Sequence, residues 1–96
     1  MFIIILHYKK PLATVERHLA AHAEYLDGLY REKKIIFSGP RIPRTGGVIL
    51  ARHLTREEAE AQILKDPFYM HGVADYELLE CKATKFDTSF EVFLDS

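Results

Sequence analysis

The run FIIIL directly after Met1 is the feature that most narrows what this chain can fold into. Three consecutive isoleucines favour an extended backbone, because branching at Cβ restricts χ1 and packs well on a pleated surface. The run is apolar at every position instead of alternating, so both faces of the strand need cover and it belongs in the middle of a sheet. Its five residues fall far short of a signal-peptide apolar core, and further short of the ~20 that cross a bilayer. A first strand over Phe2–Tyr8, closed by Lys9, Lys10 and Pro11, is therefore expected.

Beyond Pro11 the apolar residues take up a helical period. VERHLAAHAEYLDGLY predicts one helix from Val15 to about Glu32 with Thr14 as N-cap. At 100° per residue, Val15, Leu19, Leu26, Leu29 and Tyr30 fall within an arc of roughly 100°, a core-facing stripe. IIFSGP is a second strand that leaves the sheet at Gly39-Pro40, because proline cannot donate to a ladder. The loop RIPRTGG turns the chain back, with Gly46 and Gly47 available for positive φ, and Val48–His53 forms a third strand. Thr55 and Glu58 make a capping-box signature for a second helix through about Lys65, burying Ala59, Ile63 and Ala61 or Leu64. In DPFYMHG, Asp66 caps a short turn, Pro67 takes its first position and Gly72 ends it. Asp75–Lys85 alternates as a fourth strand, and FDTSFEVFLDS adds a short further segment.

The order β-α-β-β-α-β is that of an α+β, ferredoxin-like antiparallel sheet with its helices on one face. With 96 residues, the chain is expected to form one domain over residues 1–96. Such a sheet leaves its other face bare. Ile3, Ile5, Ile36 and Val48 make that face partly apolar, and pairing it with a second copy predicts a homodimer. The 13 basic and 14 acidic residues are dispersed and leave a formal charge of −1. No basic stripe indicates nucleic acid, and no segment indicates a membrane. Cys81 is the single cysteine, which excludes an internal disulfide framework and fits a reducing, cytoplasmic setting.

His22 projects into the centre of the helical stripe, whereas His18 lies at its margin. A buried neutral imidazole needs partners for both ring nitrogens, since an unpaired buried polar group costs about 1–3 kcal/mol. His22 therefore predicts a polar partner elsewhere, and the natural one is Asp66, on the loop that this topology folds back beside the first helix. A carboxylate accepting from one ring nitrogen fixes the tautomer and leaves the other as an acid or base. The plainer reading is that Asp66 is a helix cap and His22 a satisfied core histidine. Tyr25 points to His18's side and reads as packing. His7, His53 and His71 lie at strand or turn ends and read as solvated or capping residues. His18 and His22 at i, i+4 offer two metal ligands without a third, and no HExxH, CxxC, GxGxxG or P-loop spacing occurs. No cofactor is implied.

AHAEYL, then FSGP, then DPF, in this order over a chain of this length, resembles the YciI-like (YCII-related) family of the dimeric α+β barrel proteins. The resemblance runs to about Lys85, and PRTGGVILA with VADYEL looks like a subgroup sharing that loop. It implies that His22 and Asp66 are the active-site pair and that Ser38, Gly39 and Pro40 line the pocket. It also places Arg44, Gly46 and Gly47 at or near the pocket mouth. A guanidinium beside an apolar pocket favours an anionic or phenolic ligand, whereas a proline-flanked loop arginine also reads as plain surface. One departure is Lys33, where family members usually carry glycine and where lysine must take a less favourable backbone angle.

Two functions are compatible with these residues. In one, the chain is a small cofactor-independent enzyme, of lyase or isomerase type, whose His22–Asp66 pair moves protons on a small cyclic or phenolic metabolite. In the other, the same pocket belongs to a non-catalytic binding or accessory module and the pair is a buried latch. Access separates them: a catalytic His22 is reached by a ligand, whereas a latch is sealed by Phe37, Phe68 and Tyr69.

Overall fold

The computed structural model describes residues 1–94. Its elements are β1 (Phe2–Tyr8), α1 (Leu12–Arg17), α2 (Leu19–Arg31), β2 (Ile35–Pro40), β3 (Gly46–Ala51), α3 (Arg56–Leu64), α4 (Pro67–Met70) and β4 (Ala74–Glu80), then a 3₁₀ helix over Thr88–Phe93. The strands form one antiparallel sheet in the order β2-β3-β1-β4. This is the α+β, ferredoxin-like arrangement expected from the element order, with the all-apolar β1 between two neighbours.

Parity divides β1 between two environments. Phe2, Ile4 and Leu6 are buried under the helices with Val15, Leu26, Leu29, Ile63 and Phe68. Ile3 lies opposite Leu50 and Leu79, and Ile5 opposite Val48 and Glu77, on the face the helices leave uncovered. Ile3, Ile5, Ile36 and Val48 are half-buried, and Phe37 and Leu79 are exposed. Ile36 sits at an irregularity in the β2–β3 register.

Several local expectations need correction. The long helix is two helices that meet at His18 (φ −105°, ψ 2°), where the His18 N–H donates to the Val15 carbonyl three residues back. Pro11 occupies the N-cap position of α1 with no side-chain hydrogen bond, and Thr14 lies inside the helix. Pro40 stays in register opposite Gly47, because β2 is an edge strand and its missing N–H interrupts no ladder. Gly46 and Gly47 belong to β3 and do not have positive φ. Gly46 is required by space: a Cβ there would lie 1.7 Å from the Leu6 carbonyl oxygen. In α3 the capping box is present and Ala59 and Ile63 are buried, while Ala61 and Leu64 are exposed. β4 ends at Glu80 instead of reaching Lys85. Lys33 does adopt φ 63° and Gly72 φ 63°, as their positions after helices α2 and α4 require. The tail contributes the 3₁₀ helix, and its last two residues lie outside the described part.

Candidate active site

His22 is the fourth residue of α2 and its backbone N–H donates to the His18 carbonyl across the junction (3.0 Å). Its ring is placed by two contacts from one short segment, α4 and its cap. Asp66 is the N-cap of α4, with extended φ/ψ, and Pro67 follows at the first helical position. Such a cap normally spends its side chain on the first turn, and Asp66 Oδ1 does accept from the Phe68 N–H (3.0 Å). The same oxygen accepts from His22 Nδ1 at 2.8 Å. Asp66 is thus both a helix cap and the hydrogen-bond partner of His22. Phe68 lies parallel to the imidazole, with centroids 4.0 Å apart and 4° between planes, and Tyr8 meets Phe68 edge-on.

A third donor completes the carboxylate. Tyr76, on β4, donates from its hydroxyl to Asp66 Oδ2 at 2.6 Å. Asp66 is 1% exposed, so these three donors replace its water. Burial first, and then the charge of Asp66, pushes the Tyr76 phenol well above the usual tyrosine range, so it remains a donor. Tyr25 is raised for the same two reasons and donates its hydroxyl to the Gln62 carbonyl (2.6 Å). Tyr76 is the site residue that sequence reasoning missed. Its one signal is the alternation of β4, which puts Ala74, Tyr76 and Leu78 on the helix-facing side.

The imidazole lines a cavity of about 500 Å³ between α2 and the β2–β3 edge. Its walls are apolar, from Leu6, Leu19, Leu26, Ile49 and Phe68. Ser38, Gly39 and Pro40 of β2 line it, as does Gly47, while Gly46 does not. The Ser38 hydroxyl is hydrogen-bonded to that of Tyr30 at 2.7 Å. Arg44, from the β2–β3 loop, also lines the cavity and pairs with Glu16 of α1 at 3.4 Å. His22, Ser38, Gly39, Pro40 and Arg44 therefore converge on one cavity, and Asp66 stands behind His22 instead of on the wall. Sealing by Phe37 and Tyr69 does not occur. Phe37 is on the opposite face of the sheet, Tyr69 is exposed, and Phe68 covers one face of the imidazole without closing the cavity.

Because Asp66 is an acceptor, Nδ1 of His22 carries a hydrogen and Nε2 is the nitrogen left for the cavity. No described residue hydrogen-bonds Nε2. His18 is turned away from this chemistry and stacks on His71, centroids 4.1 Å apart. Among the described residues, no group of three or more His, Cys, Asp or Glu side chains is placed to hold a metal ion. No helix among them is long and apolar enough to cross a membrane.

The model of the YCII-related domain matches residues 1–82, and the chain belongs to that family. The uncharacterized protein YjpA of Bacillus subtilis (strain 168) is 33% identical over 70 residues, which are 73% of this chain and 82% of that protein. Among solved structures, 5-chloro-2-hydroxyhydroquinone dehydrochlorinase (TftG) from Burkholderia phenoliruptrix AC1100, in complex with 2,5-dihydroxybenzoquinone, matches with a TM-score of 0.71 at 23% identity. The match covers 85% of this chain and 94% of that one. At this identity the likeness establishes the fold alone, a small α+β unit with a four-stranded antiparallel sheet and helices.

Proposed function

We propose that this YCII-related protein is a small acid/base enzyme of the cytoplasm, in which His22, oriented by Asp66, moves a proton on a small cyclic or phenolic metabolite. One observation carries the reading: an imidazole with one nitrogen committed to a buried carboxylate and the other left for an apolar cavity with room for a single ring. Nε2 accepts a proton from a ligand hydroxyl or ring carbon, and the imidazolium so formed is stabilised by Asp66. It then returns the proton to a neighbouring position or leaving group, giving isomerisation or elimination. The pair supplies this step without an electron carrier. Tyr76 acts through Asp66 as a positioning residue, and Ser38, held by Tyr30, offers a hydroxyl to the ligand. The phenolic substrate named for the dehydrochlorinase of the same fold supports the ligand class.

The open sheet face belongs to the same proposal. With Ile3, Ile5, Val48 and Leu50 on it, a second copy covers it best, and Leu50→Asp should turn a dimer into a monomer in sedimentation. For the chemistry, the protein is incubated anaerobically with 5-chloro-2-hydroxyhydroquinone and with unchlorinated hydroxyhydroquinone in D₂O. Chloride release or ring deuteration above the uncatalysed rate is expected, with His22→Gln slower by about 10²–10⁴-fold. A parent protein that binds these rings but leaves them unchanged would make the cavity a binding site only.

A further inference from the structure

Of the residues lining the cavity, Arg44 carries the one permanent charge; the walls are otherwise aliphatic, aromatic or neutral. Its partner Glu16 is not part of the lining. That pair is a single Nη1···Oε1 contact at 3.4 Å, with side chains 36% and 60% exposed. A well-made guanidinium–carboxylate contact is shorter, about 2.7–2.9 Å, and often bidentate. Four of the five N–H donors of Arg44 have no partner among the described residues. The ion pair is thus loose, one-pronged and solvent-screened, and exposed pairs of this kind hold little free energy. The same guanidinium meeting an anion against apolar walls interacts through less water, where a given charge pair is stronger.

We infer that Arg44 selects the ligand by charge and that Glu16 is its placeholder: the cavity takes a monocyclic ring bearing an ionised oxygen group, carboxylate or phenolate, which displaces Glu16 from Arg44 on entry. This rests on the reading of the cavity as a ring-binding site and adds the charge of the ligand to it. Two side chains then have opposite effects on one affinity. Arg44 attracts the ligand anion, and Glu16 competes with it. Anchoring the anionic group at the rim also fixes which ring atoms meet His22, so a neutral ring of the same shape binds without that orientation.

The test uses benzoate and its neutral isostere benzamide as probes, with affinities read by calorimetry or ligand-observed NMR for the parent, Arg44→Gln and Glu16→Gln. Benzoate is expected to bind the parent more tightly than benzamide, and Arg44→Gln to erase the difference by weakening benzoate about ten- to a hundredfold. Glu16→Gln should tighten benzoate about two- to fivefold and leave benzamide unchanged. If Glu16→Gln weakens benzoate, or moves both probes alike, Glu16 only tethers the loop to α1 and the placeholder role is overturned. Equal binding of both probes to the parent and to Arg44→Gln overturns charge selection while the ring-binding reading stands. Failure of both probes to bind at millimolar concentration overturns both.

Discussion

Two histidine–carboxylate pairs of nearly equal length lie on opposite faces of the sheet. His22 and Asp66 meet at 2.8 Å under the helices, and His7 and Glu77 meet at 2.6 Å on the uncovered face. Side-chain exposures are 12% and 1% for the first pair and 43% and 55% for the second. The shorter pair is the one water can replace. His7 also accepts from Arg41 at Nδ1 (3.0 Å), so Nε2 carries its hydrogen to Glu77 and both ring nitrogens are engaged by protein. His22 is arranged the other way round: Nδ1 bears the hydrogen and Nε2 is free for a ligand. Distance therefore does not distinguish a buried, cavity-lining histidine from a surface one. What distinguishes them here is a carboxylate held by three donors, away from water, and a cavity-lining imidazole with one ring nitrogen uncommitted.

The largest effect that would break the comparison is on stability. Asp66→Ala strips a cap from α4 and leaves His22 and Tyr76 without their acceptor, and should cost about 3–5 kcal/mol in urea unfolding. Glu77→Ala should stay within about 1 kcal/mol, as exposed pairs do. Equal losses would mean that the buried carboxylate is no more structural than the surface one.

Tyr76→Phe sharpens the comparison, since it removes one of the three donors and keeps the ring. It should cost about 1–2 kcal/mol and change the alkaline limb of stability. Tyr76 and Tyr25 are both raised in the fold, so below the ordinary tyrosine range, near 10, their contribution is fully present. Above it the unfolded chain loses phenolic protons that the folded protein retains, and stability falls as pH rises. Tyr76→Phe should make that fall shallower by one proton, whereas Glu77→Gln should leave it unchanged. The smallest expected effect is that of Glu77→Gln at neutral pH, within about 0.5 kcal/mol. It should have no consequence for proton exchange in the cavity.

Much of this site was legible because its logic is local. A histidine in the centre of an apolar stripe requires a buried partner, and Asp before Pro marks a cap whose carboxylate has a spare lone pair. The ferredoxin-like order follows from an all-apolar first strand, the helical stripe after it and the capping box of α3. Tyr76 was not legible, because alternation gives the face of a strand but not which carboxylate a phenol will reach across the core. The break at His18 is also invisible, since neither Gly nor Pro marks it. Pro40 reads as a strand end until β2 is known to be the edge. The two loop glycines pointed to a turn, whereas Gly46 answers to the Leu6 backbone, a contact between β1 and β3 that only the sheet register defines.

The most direct measurement is of ring tautomers by long-range ¹H–¹⁵N NMR, in the parent and in Asp66→Asn, with His7 as internal reference. Opposite neutral tautomers are expected in one molecule, Nδ1–H at His22 and Nε2–H at His7, with loss of the His22 preference alone in Asp66→Asn. A His22 ring with its hydrogen on Nε2, or one indifferent to Asp66→Asn, would contradict the claim that Asp66 prepares this histidine for chemistry.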